Sequence, residues 1–209
     1  MVQTGGPLVD GVTYFDPNAP KYHLDLEKAA EHFKKAWGGQ LWEKGFTFVM
    51  AMNAGFPEAK VSCGLLQENL MKVNEKFVLR LQALQWPTML QGMFGGLLPI
   101  FQISWVPDYA DPHNYASPLM YSKGVLSGFQ HFSNPEIDAL VDAGISTVVP
   151  AEREAIYRQL DQLYYDFCPA IMMGQPTSYR YFRDWVQGFI FNPMLQGDYG
   201  YLYNLSKGY

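Results

Sequence analysis

The residues best able to do chemistry gather in one stretch, Trp105-Val106-Pro107-Asp108-Tyr109-Ala110-Asp111-Pro112-His113-Asn114-Tyr115. Two carboxylates, an imidazole and an amide stand among three large aromatics. Apolar walls with a few convergent polar groups are what a small-molecule site requires. Asp108 suits a ligand cation, because a carboxylate in an aromatic-walled cleft gains from a desolvated, hydrogen-bonded ammonium. It suits equally a turn that it braces through its own backbone. Asp111, directly before Pro112, reads as a turn former. Trp105 could stack on a ligand or fill a core, and Tyr109 and Tyr115 are open to both roles.

A catalytic reading needs more than these groups supply. Asp108 and Asp111 could form a carboxylate pair of the glycosidase kind, yet two residues three apart in one loop are poorly placed to flank a substrate bond. The chain has no Gly-x-Ser-x-Gly, His-Glu-x-x-His or phosphate-binding glycine loop. Cys63 and Cys168 have no evident histidine partner and do not match zinc spacing. Both are expected to be buried small hydrophobes, one inside a helix and one at the end of another. No catalytic residue, cofactor or metal site is therefore expected.

The 209 residues are 48% hydrophobic and 17% charged, the balance of a globular chain. A net charge of -5 without a Lys/Arg run gives no support for a nucleic-acid footprint. No stretch approaches the roughly 18 uninterrupted apolar residues of a membrane span. Met1–Pro7 has no basic region followed by an apolar core, so it reads as loop and not as a signal peptide, which leaves open a start inside a larger protein.

The elements that must position the loop follow from periodicity. A helix is predicted from about Asp25, its cap, through Leu26, Ala29, Ala30, Phe33 and Trp37. Phe46–Met52 reads as a strand, Pro57–Val73 as a helix with Val61, Leu65, Leu66, Leu70 and Val73 inward, and Phe77–Leu84 as the next strand. Strand, helix, strand with short links is a parallel βαβ pair. A short helix at Trp86–Phe94 leads to a third strand beginning at Phe101, whose end carries the loop at 106–118. Residues 121–132 read as a loop over the site. Ser133-Asn134-Pro135-Glu136 opens a helix with Ile137, Leu140, Val141 and Ile145 inward. A longer helix spans about Ala151–Phe167, with Ile156, Leu160, Leu163, Tyr164 and Phe167 as its stripe, and Pro169–Gly174 reads as a short strand.

In this order the segments resemble the C-terminal part of the extracellular solute-binding proteins of family 5, the peptide-, dipeptide- and nickel-binding receptors of ABC importers. Four matches carry the resemblance: Tyr22-His23-Leu24-Asp25 through Lys28-Ala29, Trp105-Val106-Pro107-Asp108-Tyr109-Ala110-Asp111-Pro112, Phe132-Ser133-Asn134-Pro135-Glu136 through Leu140, and Arg153 to Tyr157 followed by Pro169-Ala170-Ile171. They run through about residues 20–190. The resemblance implies a layered α/β lobe of the periplasmic-binding-protein type II class, the C-terminal half of a two-lobed receptor. Residues 1–22 would be its lead-in loop, 23–168 the second lobe, and 169–209 the segment that returns across the hinge. It also implies a ligand held between lobes, with Trp105, Asp108, Tyr109 and His113 as this lobe's share of the wall. Asp108 would pair with the α-amino group of a peptide or similar small solute. His113 stands where nickel-binding members carry a histidine, and imidazole suits that metal, but one His without a second His or Cys makes a poor metal site. The implied partners are a membrane permease and the first lobe, which this chain lacks. The implied location is periplasmic or extracellular, with a membrane anchor as one arrangement of the full-length protein. The alternatives are a hydrolase using Asp108 and Asp111, or an interaction module that self-associates through the face left without its first lobe.

Overall fold

Asp25 caps the first helix as its place before a periodic apolar run predicts: its Oδ1 accepts the Lys28 N–H at 2.8 Å. The structure is a computed structural model that describes residues 3–177, 179–190 and 202–208. The chain divides into two compact units, one of residues Tyr22–Ser104 and one that joins the segment before Tyr22 to the chain from Trp105 onward.

The first unit holds α1 (Leu26–Lys35), α2 (Gln40–Lys44), β1 (Phe46–Asn53), α3 (Pro57–Val73), β2 (Phe77–Leu84), α4 (Trp86–Phe94) and β3 (Ile100–Phe101). Its sheet has the order β2-β1-β3. β1 and β2 pair in parallel from Phe46↔Phe77 to Asn53↔Leu84, and β3 joins the other side of β1 at Met50↔Ile100. The predicted third strand exists but is brief: it ends at Phe101, just where its reading from sequence begins. The core is built by Met50, Met52, Ala59, Cys63 and Leu79, with Leu66, Leu70 and Ile100 packed against them. Phe33, Phe46 and Phe77 form an aromatic cluster beside it, with ring centroids 4.6–4.7 Å apart from Phe77.

The inward face of α3 differs from the expected one. Val61 and Leu65 are exposed, whereas Ala59, Ser62 and Cys63 are buried. The spacing Ala59, Cys63, Leu66, Leu70 is still helical. Small residues at its start let the helix approach the strands closely, and their low hydropathy hides the stripe. Cys63 is buried as expected, but Cys168 is exposed, because it ends a helix in left-handed backbone with φ 44°.

The second unit contains α5 (His113–Met120), α6 (Val125–Phe129), α7 (Pro135–Ser146) and α8 (Pro150–Phe167), followed by a small antiparallel pair, β4 (Val186–Gln187) with β5 (Ser206–Lys207). α7 packs on α8, and α5 packs on α6 and α7. Asn134 caps α7, its Oδ1 accepting the N–H groups of Glu136 and Ile137 at 2.9 and 3.2 Å. Three expectations are corrected here. Residues 113–120 are helical and not loop; residues 121–132 contain α6; and Pro169–Gly174 forms no strand. Pro118 inside α5 masks that helix in the sequence. Ile145 and Phe167 are exposed, while Tyr157, absent from the expected stripe, is fully buried.

The lead-in segment is irregular, as read, but it is part of the core. Thr4, Leu8 and Val12 are buried, and Tyr14 stacks on Tyr157 with ring planes 15° apart. Gly6 lies so close to the Asp161 carboxylate that no Cβ would fit, and the Leu8 N–H donates to that buried carboxylate. Residues 191–201 of the expected return segment lie outside the described residues. Among the described residues no helix is long and apolar enough to cross a membrane.

Candidate ligand-binding site

The loop between Trp105 and α5 is fixed by polar groups that its own sequence only half reveals. Asp111 is the turn former that Asp-Pro implies: its Oδ1 accepts the His113 N–H at 2.8 Å. The same carboxylate is also gripped from α8. Arg153 donates through Nη1 to Oδ2 at 2.9 Å and through Nη2 to Oδ1 at 2.8 Å, while its Nε–H donates to the Gly144 carbonyl at 2.7 Å. The guanidinium also lies 5.2 Å from the Tyr157 ring centroid and 5.8 Å from that of Tyr14, within cation–π range of both stacked rings. Burial works against the Asp111 charge, but Arg153 and the His113 N–H outweigh it and hold the carboxyl below its ordinary range. The hydrogen bonds that Arg153 donates to Asp111 likewise raise its own pKa. Asp111 is thus committed to structure.

Pro118 has a second consequence. In α5 a residue at that position would donate its N–H to the carbonyl of Asn114; proline has no N–H to give. That carbonyl accepts instead from Trp105 Nε1 at 2.7 Å. The Asn114 side chain, buried like its backbone, accepts a further bond from Trp105 Nε1 at 3.2 Å and one from the Asp108 backbone N–H at 3.3 Å. One asparagine therefore fixes both the indole and the backbone of Asp108. The turn-bracing work that Asp108 might have done falls to Asn114 and Asp111. The exposed Asp108 carboxylate has no hydrogen-bond or ion-pair partner among the described residues.

Trp105, Asp108, Tyr109 and His113 all line one open hollow of about 360 Å³, together with Asn114 and Lys123. Ser117 and Pro118 from α5 and Gly124 and Val125 at the start of α6 complete it. A larger hollow at Asp184, Trp185, Gln187, Lys207 and Gly208 shares none of these residues. Burial pushes the His113 imidazole below its usual value, with the Asp111 charge opposing and Arg153 adding to the effect. The ring is therefore neutral near pH 7. Its Nδ1 is buried without a partner, so the ring proton belongs on Nε2, since an unbonded N–H in that place costs more than an unbonded lone pair. Tyr115 does not join the site: it is buried in the core, which pushes its hydroxyl up to about 12.

The histidines His23, His32 and His131 are scattered and exposed, and among the described residues no three of His, Cys, Asp and Glu come together to hold a metal ion. Three contributors escape a reading of the loop alone. Asn114 stands inside the stretch but its amide gives no hint of two partners. Arg153 carries a signal only as an Arg-x-x-x-Tyr pair on one helix face, and Lys123 sits in a segment without periodicity.

Comparison with known proteins identifies the family. The model of the bacterial extracellular solute-binding proteins, family 5 Middle, matches residues 2–127, more than half of the chain. A probable D,D-dipeptide-binding periplasmic protein of Escherichia coli is 26% identical over 196 residues, 93% of this chain and 37% of that protein. The haem-binding protein A of Haemophilus influenzae is 24% identical over 188 residues, 90% of this chain and 34% of that one. Among solved structures, a Haemophilus parasuis protein, HbpA2, superposes with a TM-score of 0.76 at 18% identity, covering 100% of this chain and 40% of its own. The chain therefore spans little more than a third of the length of the curated relatives it matches. Those relatives are binding proteins by name. The parallel α/β sheet, the flanking helices and the family match together place the chain: it belongs to the family 5 bacterial extracellular solute-binding proteins.

Proposed function

We propose that this chain forms part of the substrate-binding component of an ABC importer and that its hollow holds the amino end of a peptide. Asp108 anchors the α-amino group, Trp105 and Tyr109 supply apolar walls, and neutral His113 offers a hydrogen bond. One observation carries this reading. Of two aspartates in one loop, Asp111 is fully engaged by Arg153, and Asp108 presents an unengaged carboxylate to an aromatic-lined hollow. A charge-assisted bond from a ligand ammonium is the partner that such a group lacks. Relatives that include a probable D,D-dipeptide-binding protein and a di/tripeptide-binding protein support the same ligand class.

The wider assembly we propose is that of a two-lobed receptor. The ligand lies between this lobe and a second one, hinge closure buries it, and closure is a shift toward the state that holds the ligand better. The closed receptor docks on a membrane permease from the periplasmic or extracellular side. No catalysis is assigned. Asp111 has both carboxylate oxygens bound to Arg153, so it is no free acid or base to work with Asp108.

The test is a calorimetric or NMR titration of the chain with alanyl-alanine, its N-acetyl form, a disaccharide and haem. The dipeptide is expected to bind, and acetylation to weaken it at least about tenfold, because it removes the cation. Equal binding of the acetylated form, or preference for the sugar or haem, would overturn the reading.

A further inference from the structure

Tyr14 is held in left-handed backbone, with φ 69°, a conformation that an aromatic residue keeps only where its surroundings over-determine it. Anchors on both sides do so here. Val12 is buried, and its carbonyl accepts the Phe15 N–H at 3.2 Å. Asp16 pairs with Arg158 of α8. Between these anchors the Tyr14 ring lies on that of Tyr157, with centroids 5.9 Å apart, and reaches the Arg153 guanidinium. The ring, and not the hydroxyl, makes both contacts.

Arg153 links this contact to the ligand loop. It holds both carboxylate oxygens of Asp111. Asp111 accepts the His113 N–H through Oδ1 at 2.8 Å and the Asn114 N–H through its carbonyl at 3.0 Å. Asn114 in turn fixes the Trp105 indole and the Asp108 backbone. Contacts therefore run without a break from the lead-in segment to the residues of the hollow, which Tyr14 itself does not line. The planar fork of an arginine serves a carboxylate only in one orientation, and an aromatic face against it limits its rotation and keeps water from the pair. A binding loop is only as precise as the groups that support it. We propose that Tyr14 is a positioning residue for the ligand loop: its ring keeps Arg153 on Asp111, and so keeps Trp105, Asp108 and His113 in the arrangement that receives ligand. This inference rests on the proposed binding role of that loop.

Two readouts test it, one with ligand and one without: titration with alanyl-alanine, and NMR titration of the His113 imidazole, which responds to burial and to the charges of Asp111, Arg153 and Asp142. Tyr14→Ala is expected to bind the dipeptide about tenfold more weakly, the size of one partly desolvated cation–π contact. Its His113 should titrate closer to the ordinary value, because a loosened loop admits water. Tyr14→Phe, which keeps the ring, should restore both. Leu8→Ala removes another buried side chain of the lead-in segment, so it should lower the melting temperature and leave both readouts as in the wild type. A Tyr14→Ala protein that matches the wild type in either readout, or a Leu8→Ala protein that shifts them as far, would overturn the positioning role. If the wild-type chain binds no alanyl-alanine, the ligand reading fails by itself and the His113 titration decides alone. Moved by Tyr14→Ala and restored by Tyr14→Phe, it upholds the support of the loop by Tyr14; unmoved, it overturns it.

Discussion

The two compact units differ in what each adds to its apolar core. In the unit of residues Tyr22–Ser104, order comes from apolar contacts between neighbours in sequence: a strand, a helix and a strand whose faces close on Met50, Cys63 and Leu79. The other unit has an apolar core of its own, with Ile137, Val141, Tyr157 and Leu160 buried, and adds side-chain links between residues far apart in sequence. Asp111 meets Arg153, Asp161 accepts from Leu8, Asp16 pairs with Arg158, and Asp10 exchanges hydrogen bonds with Gln175. Apolar packing is non-directional and tolerates exchange. Polar links are directional, and removing one partner leaves the other without its bond. The candidate site belongs to the second kind of unit, where a loop must be fixed while one carboxylate is kept unpaired.

The largest expected effect breaks the apolar side of this contrast. Phe77 is fully buried beside Phe33 and Phe46, so Phe77→Ala should cost about 4 kcal/mol, read as a fall in the urea midpoint. On the polar side, Arg153→Ala removes the clamp on Asp111 and the bond to Gly144. A loss of about 3 kcal/mol is expected, discounted because the pair is partly exposed. Asp111 is held below the ordinary carboxylate range, so its contribution is present above that range and is lost as pH falls through its folded value. The gap between wild type and Arg153→Ala should therefore narrow in acid.

Asp161 has the opposite sign. Burial pushes its carboxyl up to about 7, with Asp16 adding to the shift and the Leu8 N–H and Arg158 opposing it. Between the ordinary value and about 7 the folded chain keeps a proton that the unfolded chain has released. Stability from this group is therefore complete in acid and declines as pH rises through that window. Asp161→Asn, which can still accept from Leu8, should flatten the decline and gain roughly 2 kcal/mol at pH 8. Denaturation of both proteins from pH 4 to 8 checks it. The smallest effect is chemical. The exposed Cys168 should react with a thiol reagent in the native chain, and the buried Cys63, its thiol raised by burial, only after unfolding.

The same contrast decides what could be read in advance. The βαβ order, the Asp25 cap and the Asn134 start of α7 are local signals, and they were legible because period and capping residues act over a few positions. Val61 and Leu65 misled because burial in α3 follows small residues, which a hydropathy pattern undervalues. α5 was hidden by Pro118, whose missing N–H is what frees the Asn114 carbonyl for Trp105. The loop from Trp105 to His113 stood out by composition, but the division of labour between its aspartates did not. It depends on Arg153, 42 residues from Asp111, and no spacing rule links them.

The central claim is that Asp108 serves a ligand while Asp111 serves the fold. Thermal melts and alanyl-alanine titrations of Asp108→Asn and Asp111→Asn, made side by side, test it most directly. Asp108→Asn should melt within about 2 °C of wild type, as a surface change of under ~0.5 kcal/mol implies, and lose dipeptide affinity at least about tenfold. Asp111→Asn should lower the melting temperature by more than about 4 °C. An Asp108→Asn protein that binds dipeptide like the wild type would contradict the account.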